Sequence, residues 1–156
     1  ERTVREHFQI RAVLESEAVA CVCKSGVDIS NIKDIIYQSE EVIANCEWDE
    51  YSNLNQAFHV AIWTAADNLR MKKILSDMWN GLSMRYMETL EEYAVKSFSE
   101  HKKIFAKIEQ RDIEGARLLM RQHIERSMHD MLTNIQSRSN STSKNSNNGS
   151  EKNNKY

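Results

Sequence analysis

Apolar residues recur along most of the chain at intervals of three and four, the spacing that lines one face of an α-helix. The first stripe, Val4, Phe8, Leu14, Ala18 and Val22, predicts a helix over 3–24 that stops at Ser25 and Gly26. Asp28 or Ser30 caps a second, which carries Ile32, Ile35, Ile36, Val42 and Ile43 and ends near Cys46. Asp49 opens a third, through Leu54, Phe58, Ile62 and Ala66, and Asp67-Asn68 breaks it before a long fourth helix over 69–93. Ser97 is expected to cap a fifth with Phe98, Ile104, Phe105 and Ile108 inward. Asp112 is expected to cap a sixth carrying Ala116, Leu119, Met120, Ile124 and Met128 toward Ile135. The predicted fold class is all-α, an antiparallel bundle of about six helices joined by short turns.

Composition supports this and sets its limits. The 156 residues include no proline and only four glycines, so little interrupts a helix. After Gln136 the chain turns to Ser, Asn and Lys with no aliphatic residue. Positions 137–156 therefore read as a disordered tail, and 1–136 as one folded domain. No run approaches the roughly 20 apolar residues of a membrane span, and no signal-peptide pattern opens the chain, so a cytoplasmic protein without a membrane partner is expected. Cys21, Cys23 and Cys46 are odd in number and read as buried free thiols. The formal charge is −2, and the four basic residues and one acidic residue of the tail leave the body at −5, a poor footprint for nucleic acid. Starting at Glu1 and running at once into a helix, the sequence reads as a fragment of a longer protein.

Asn55 and His59 stand four residues apart, so both address one point from the third helix. His101 is in register with Phe98 and Phe105, and His123 with Ala116, Leu119 and Met120, which turns both imidazoles inward. Three core-facing histidines and an amide oxygen form a set that zinc, nickel or a neighbouring first-row metal accepts. The alternative is three separate core histidines, each bonded to a carbonyl. No HExxH, CxxC or EF-hand pattern decides between them. Arg11 and Arg85 lie on apolar stripes and, if buried, want partners. Those partners are either Glu15 and Glu88, in internal ion pairs, or a bound carboxylate that the guanidinium forks would clamp. The methionines read as core filling.

The run Arg11-Ala-Val-Leu-Glu15, the segment Asn55-Gln-Ala-Phe58-His59 followed by Ala65-Ala-Asp-Asn68, the pair Glu100-His101, and Arg111-Asp112 leading to Met120-Arg-Gln-His123 resemble the FCD domain. That is the C-terminal effector-binding domain of FadR-type regulators in the GntR family. The resemblance implies a helical bundle whose central cavity holds a divalent metal, zinc, nickel or manganese, through an Asp and three His, with an organic acid coordinated to it. Carried over, His59, His101 and His123 match the histidines, and Asn55 stands where the family usually has Asp. Arg11 matches the family's first-helix arginine near the effector, and Arg85 is a looser match. The resemblance further implies a homodimer and an N-terminal winged helix-turn-helix, absent from this chain, that would contact operator DNA. Two other functions remain: a metal-dependent hydrolase or hydratase built on the three histidines, and a ligand-free helical dimerisation module.

Overall fold

The computed structural model describes residues 1–79 and 90–147, in six helices with no strand among them. Helix α1 spans Arg2–Ser25 and ends where Gly26 takes a left-handed φ of 65°. That left-handed backbone calls for glycine, and the neighbouring Arg111 guanidinium, 3.0 Å from where a Cβ would stand, would have only to shift slightly. Helix α2, Ser30–Ala44, starts beside Asp28, whose carboxylate accepts from the Ser30 backbone N–H at 2.9 Å. Helix α3 is Trp48–Ala65, with Asp49 and Glu50 in its first turn, where negative charge suits the helix dipole. Asp67 turns left-handed at φ 52°, and Asn68 Oδ1 accepts from Met71 N at 3.0 Å to start α4, Leu69–Trp79.

Helix α5, Leu90–Glu109, departs from expectation by beginning well before Ser97. Glu91 and Glu92 supply the negative first turn, and Ser97 is a buried interior residue whose Oγ accepts from Arg126 Nη2 at 3.1 Å. Helix α6 starts after Asp112, which accepts the Gly115 N–H at 2.9 Å and a Lys107 ammonium bond at 2.7 Å. It spans Ile113–Asn147, so the boundary expected at Gln136 is not a helix end; nothing from Ile113 to that point and on to Asn147 except Gly115 is a helix breaker. Of the three thiols only Cys23 is buried; Cys46 is exposed at the left-handed end of α2. Arg85 and Glu88 lie outside the described residues, and positions 90–93, expected to end the fourth helix, belong to α5 instead.

Helix α1 packs chiefly on α6, and α2 on α3. The α1–α6 pair is antiparallel, for Glu1 meets Gln136 while Glu17 meets Arg117. The α5–α6 pair is antiparallel too, with Glu100 beside Arg126 and Lys96 near Asp130. Small buried residues, Ala12 and Ala18 on α1 and Ala116 on α6, suit the close approach of the long helices. Ile32, Phe58, Ile62, Leu75, Ile104, Met120 and Ile124 fill the centre, each burial contributing roughly 1.5–3 kcal/mol. No described helix is long and apolar enough to cross a membrane. Replacing Asp112 by Ala should remove the α6 cap and lower stability by about 1 kcal/mol, read as a lower urea midpoint at unchanged slope. An unshifted midpoint would deny the cap its role.

Candidate metal centre

Three helices bring the predicted histidines to one point. His59 comes from α3, His101 from α5 and His123 from α6, and one ring nitrogen from each lies within 4.8 Å of the others. His123 Nε2 is 3.3 Å from His59 Nε2 and 3.4 Å from His101 Nε2. With Asn55, these side chains are no more than 2% exposed. Local packing sets each ring: Phe58 stacks on His101 with centroids 4.1 Å apart, and Trp79 of α4 lies 5.1 Å from His59.

The opposite edges of two rings are held by carboxylates. His59 Nδ1 donates to Glu15 Oε2, and His123 Nδ1 donates to Glu100 Oε2 at 2.6 Å. Each carboxylate is in turn gripped by an arginine. Arg11 Nε donates to Glu15 Oε1 at 2.6 Å, and Arg126 donates to Glu100 through Nε at 2.9 Å and Nη2 at 2.6 Å. Trp63 Nε1 adds a 3.2 Å bond to Glu15, and Arg126 reaches Asp130 at 2.9 Å. A neutral imidazole whose Nδ1 carries the proton presents a bare lone pair at Nε2. His59 and His123 therefore face each other with acceptors, an arrangement a cation relieves and an ordinary core histidine avoids.

Electrostatics keep the rings neutral. Burial pulls His59 below its ordinary value against the pull of Glu15. Burial takes His123 down to about 4 despite Glu100, and with the neighbouring imidazoles takes His101 well below the usual range. Burial alone would raise Glu15, but His59 and Arg11 beside it, with the bonds from His59 and Trp63, hold it down to about 2. Glu100 is likewise lowered: burial opposes, and the bonds from His123 and Arg126 prevail.

The donor set suits a divalent metal. Two imidazole nitrogens on a tetrahedral zinc at about 2.1 Å stand roughly 3.4 Å apart, close to both separations found here. Carboxylates behind two of the imidazoles match the outer shell that orients metal-binding histidines. Asn55 precedes His59 by one turn, and its Oδ1 is buried with no hydrogen-bond partner, the condition of a ligand atom awaiting an ion. His59, His101 and His123 through Nε2, and Asn55 through Oδ1, would hold the metal. Its chemistry there would be that of a Lewis-acid anchor for an anionic oxygen.

A family model, the FCD domain, matches residues 6–126. The chain belongs to the FCD family. Two solved structures share the fold of this FCD domain. Escherichia coli McbR/YncC superposes with a TM-score of 0.76 at 15% identity over 86% of this chain and 66% of its own. The metal-free FCD domain of TM0439 gives a TM-score of 0.72 at 17% identity, over 87% of this chain and 96% of its own. The chain thus spans just under two thirds of McbR/YncC. No curated protein matches significantly.

Of the residues expected in the site, the structure gathers His59, His101 and His123 and buries Asn55 one turn from His59. Arg11 reaches the cluster through Glu15 and lies 4.4 Å over the Trp79 ring, so the internal ion pair is present. Glu100, one residue before His101 and so turned about 100° from it around the helix, points to a neighbour: its carboxylate meets His123. Sequence reasoning missed Glu15 as the partner of His59, and missed Arg126 and Trp79 altogether. Only the i+3 spacing of Arg126 from His123 and the buried register of Glu15 hinted at them.

The neutral, buried histidines carry a pH signature. An unfolded histidine titrates near 6.5 and folded His123 near 4, so between these values the unfolded chain binds more protons. Stability is fully present above the unfolded value and is lost as pH falls toward the folded one. For chelator-treated protein, the urea midpoint should fall from about pH 7 to about pH 4.5, and less steeply in His123→Gln. A midpoint that stays level across that window would contradict the assignment.

Proposed function

We propose that this chain is the effector-binding half of a bacterial transcription regulator of the GntR family, sensing a small organic acid through a divalent metal. The observation that carries this is the convergence of three buried Nε2 atoms, two of them presented by carboxylate-held Nδ1 edges, with an orphaned buried amide oxygen one helical turn from His59. Family membership supports the regulatory role. Zinc and nickel suit such a nitrogen-rich set with one oxygen, and manganese, which favours oxygen ligands, suits it less. Arg11 spends Nε on Glu15, so its Nη groups are what remain to meet the effector's carboxylate. Arg85 keeps the same proposed role on the strength of the resemblance alone. Operator DNA would be contacted by a winged helix-turn-helix preceding this domain, in a homodimer matching paired half-sites.

Hydrolysis or hydration is the competing reading, and the geometry argues against it. Glu15 and Glu100, the carboxylates beside the imidazoles, are each committed to a histidine Nδ1–H and an arginine, so neither stands ready to take a proton from water. The packing of the site also favours enclosure over rapid exchange.

Elemental analysis of the purified chain, never exposed to chelator, should find close to one zinc, nickel or manganese per chain. His101→Ala should lose it, while Arg126→Ala should weaken metal affinity about 10–100-fold through Glu100 and His123. With metal present, small carboxylates should raise the melting temperature in proportion to ln(1 + [L]/Kd). A chain that arrives empty and refuses added metal would end the metal-centred reading.

A further inference from the structure

Among the described residues, two buried side-chain polar atoms have no hydrogen-bond partner, Tyr51 Oη and Asn55 Oδ1. Both belong to α3, and with His59 they fall at successive turns, four residues apart, on one inward line. Asn55 is accounted for by the metal proposed above, but Tyr51 is not. Its side chain is wholly buried, and its ring stands edge-to-face with Phe98, centroids 6.2 Å apart. Polar groups of α5 and α6, Tyr93, Ser97, Glu100 and Arg126, stand near its hydroxyl. None of them meets that hydroxyl in hydrogen-bond geometry; Arg126 donates instead to Ser97 and Glu100, and Glu100 accepts from His123. Burial pushes the phenol up, so the hydroxyl keeps its proton and can donate as well as accept. An unpaired buried hydroxyl is costly, and phenylalanine would fill the same place without that cost.

We propose that Tyr51 is a specificity-determining residue of the effector site, its hydroxyl bonding an oxygen at the end of the effector remote from the histidines. This rests on the function proposed above and adds the class of acid sensed: a carboxylate at one end and a second hydrogen-bonding oxygen several bonds away. The spacing sets the length. Tyr51 and His59 are two turns apart along α3, about 12 Å. An extended carbon chain advances about 1.2 Å per bond, so with the reach of the side chains at both ends an acid of about six carbons spans the interval and acetate does not. A site that offers a buried hydroxyl also rejects an analogue lacking the matching oxygen, because the hydroxyl then stays unpaired.

The test is calorimetry of the zinc-loaded full chain with two probes of equal length, ω-hydroxyhexanoate and heptanoate, which exchange a terminal hydroxyl for a methyl. The wild-type chain should favour the hydroxy acid. Tyr51→Phe should shift the ratio of the two affinities about 10-fold toward heptanoate, by weakening the hydroxy acid alone. The urea midpoint of the ligand-free Tyr51→Phe chain should be no lower than that of wild type, because the hydroxyl has no partner to lose. A wild-type chain without the preference, a preference that survives Tyr51→Phe, or an equal loss of both probes would overturn the proposal and leave the metal-centred sensor standing. A lowered midpoint in the ligand-free variant would show that the hydroxyl serves the fold, and would overturn it too. A chain that takes up no zinc, or that binds neither acid when loaded, would overturn this proposal together with the function on which it rests.

Discussion

The fully buried carboxylate of Glu15 is the constraint on which the site depends. An ionised carboxylate removed from water is tolerated only when its oxygens are met by charge and by donors. Arg11 answers one oxygen, and His59 with Trp63 answers the other. Those residues lie on α1 and α3, and Trp79 of α4 covers the Arg11 guanidinium, so satisfying one anion fixes three helices relative to one another. The same contact sets the proton on His59 Nδ1 and turns Nε2 toward the other imidazoles. Structural need and ligand presentation are thus one hydrogen-bond network, and a change at Glu15 could not affect either alone.

Glu100 repeats the device at the other side with looser burial. Its carboxylate is half-buried and Arg126 grips it through two nitrogens, a geometry that holds the oxygen against His123 even where water can approach. His101 is held differently, by stacking on Phe58. Two imidazoles fixed by carboxylates and one by an aromatic face give three rings whose orientation does not rely on the ion. Such a site is organised ahead of its ligand, which lowers the ordering cost of binding.

Helix periodicity made the bundle legible, because apolar stripes at i, i+3 and i+4 report burial directly. The positions of His59, His101 and His123 on those stripes were enough to place all three inward. What periodicity could not convey was pairing between helices distant in sequence. Glu15 and His59 are 44 residues apart, and Glu100 and His123 are 23, so nothing local in the chain announces either bond. Arg126 escaped notice because it is half-buried beside a carboxylate rather than on an apolar stripe, and so looked like an ordinary surface cation. Ser97 misled for the opposite reason: a serine before a hydrophobic run has the pattern of a cap, but here its hydroxyl meets Arg126 inside α5.

The closure of the site also bears on what it is for. Asn55, His59, His101 and His123 are sealed behind Trp79, Phe58 and the crossing helices, so a ligand can reach them only while the packing around them opens. In an enzyme that opening would be repeated at each turnover and would slow release. In a sensor it is the useful event, because bound and free states would then differ in packing, and a ligand shifts an equilibrium only by its unequal affinity for two arrangements.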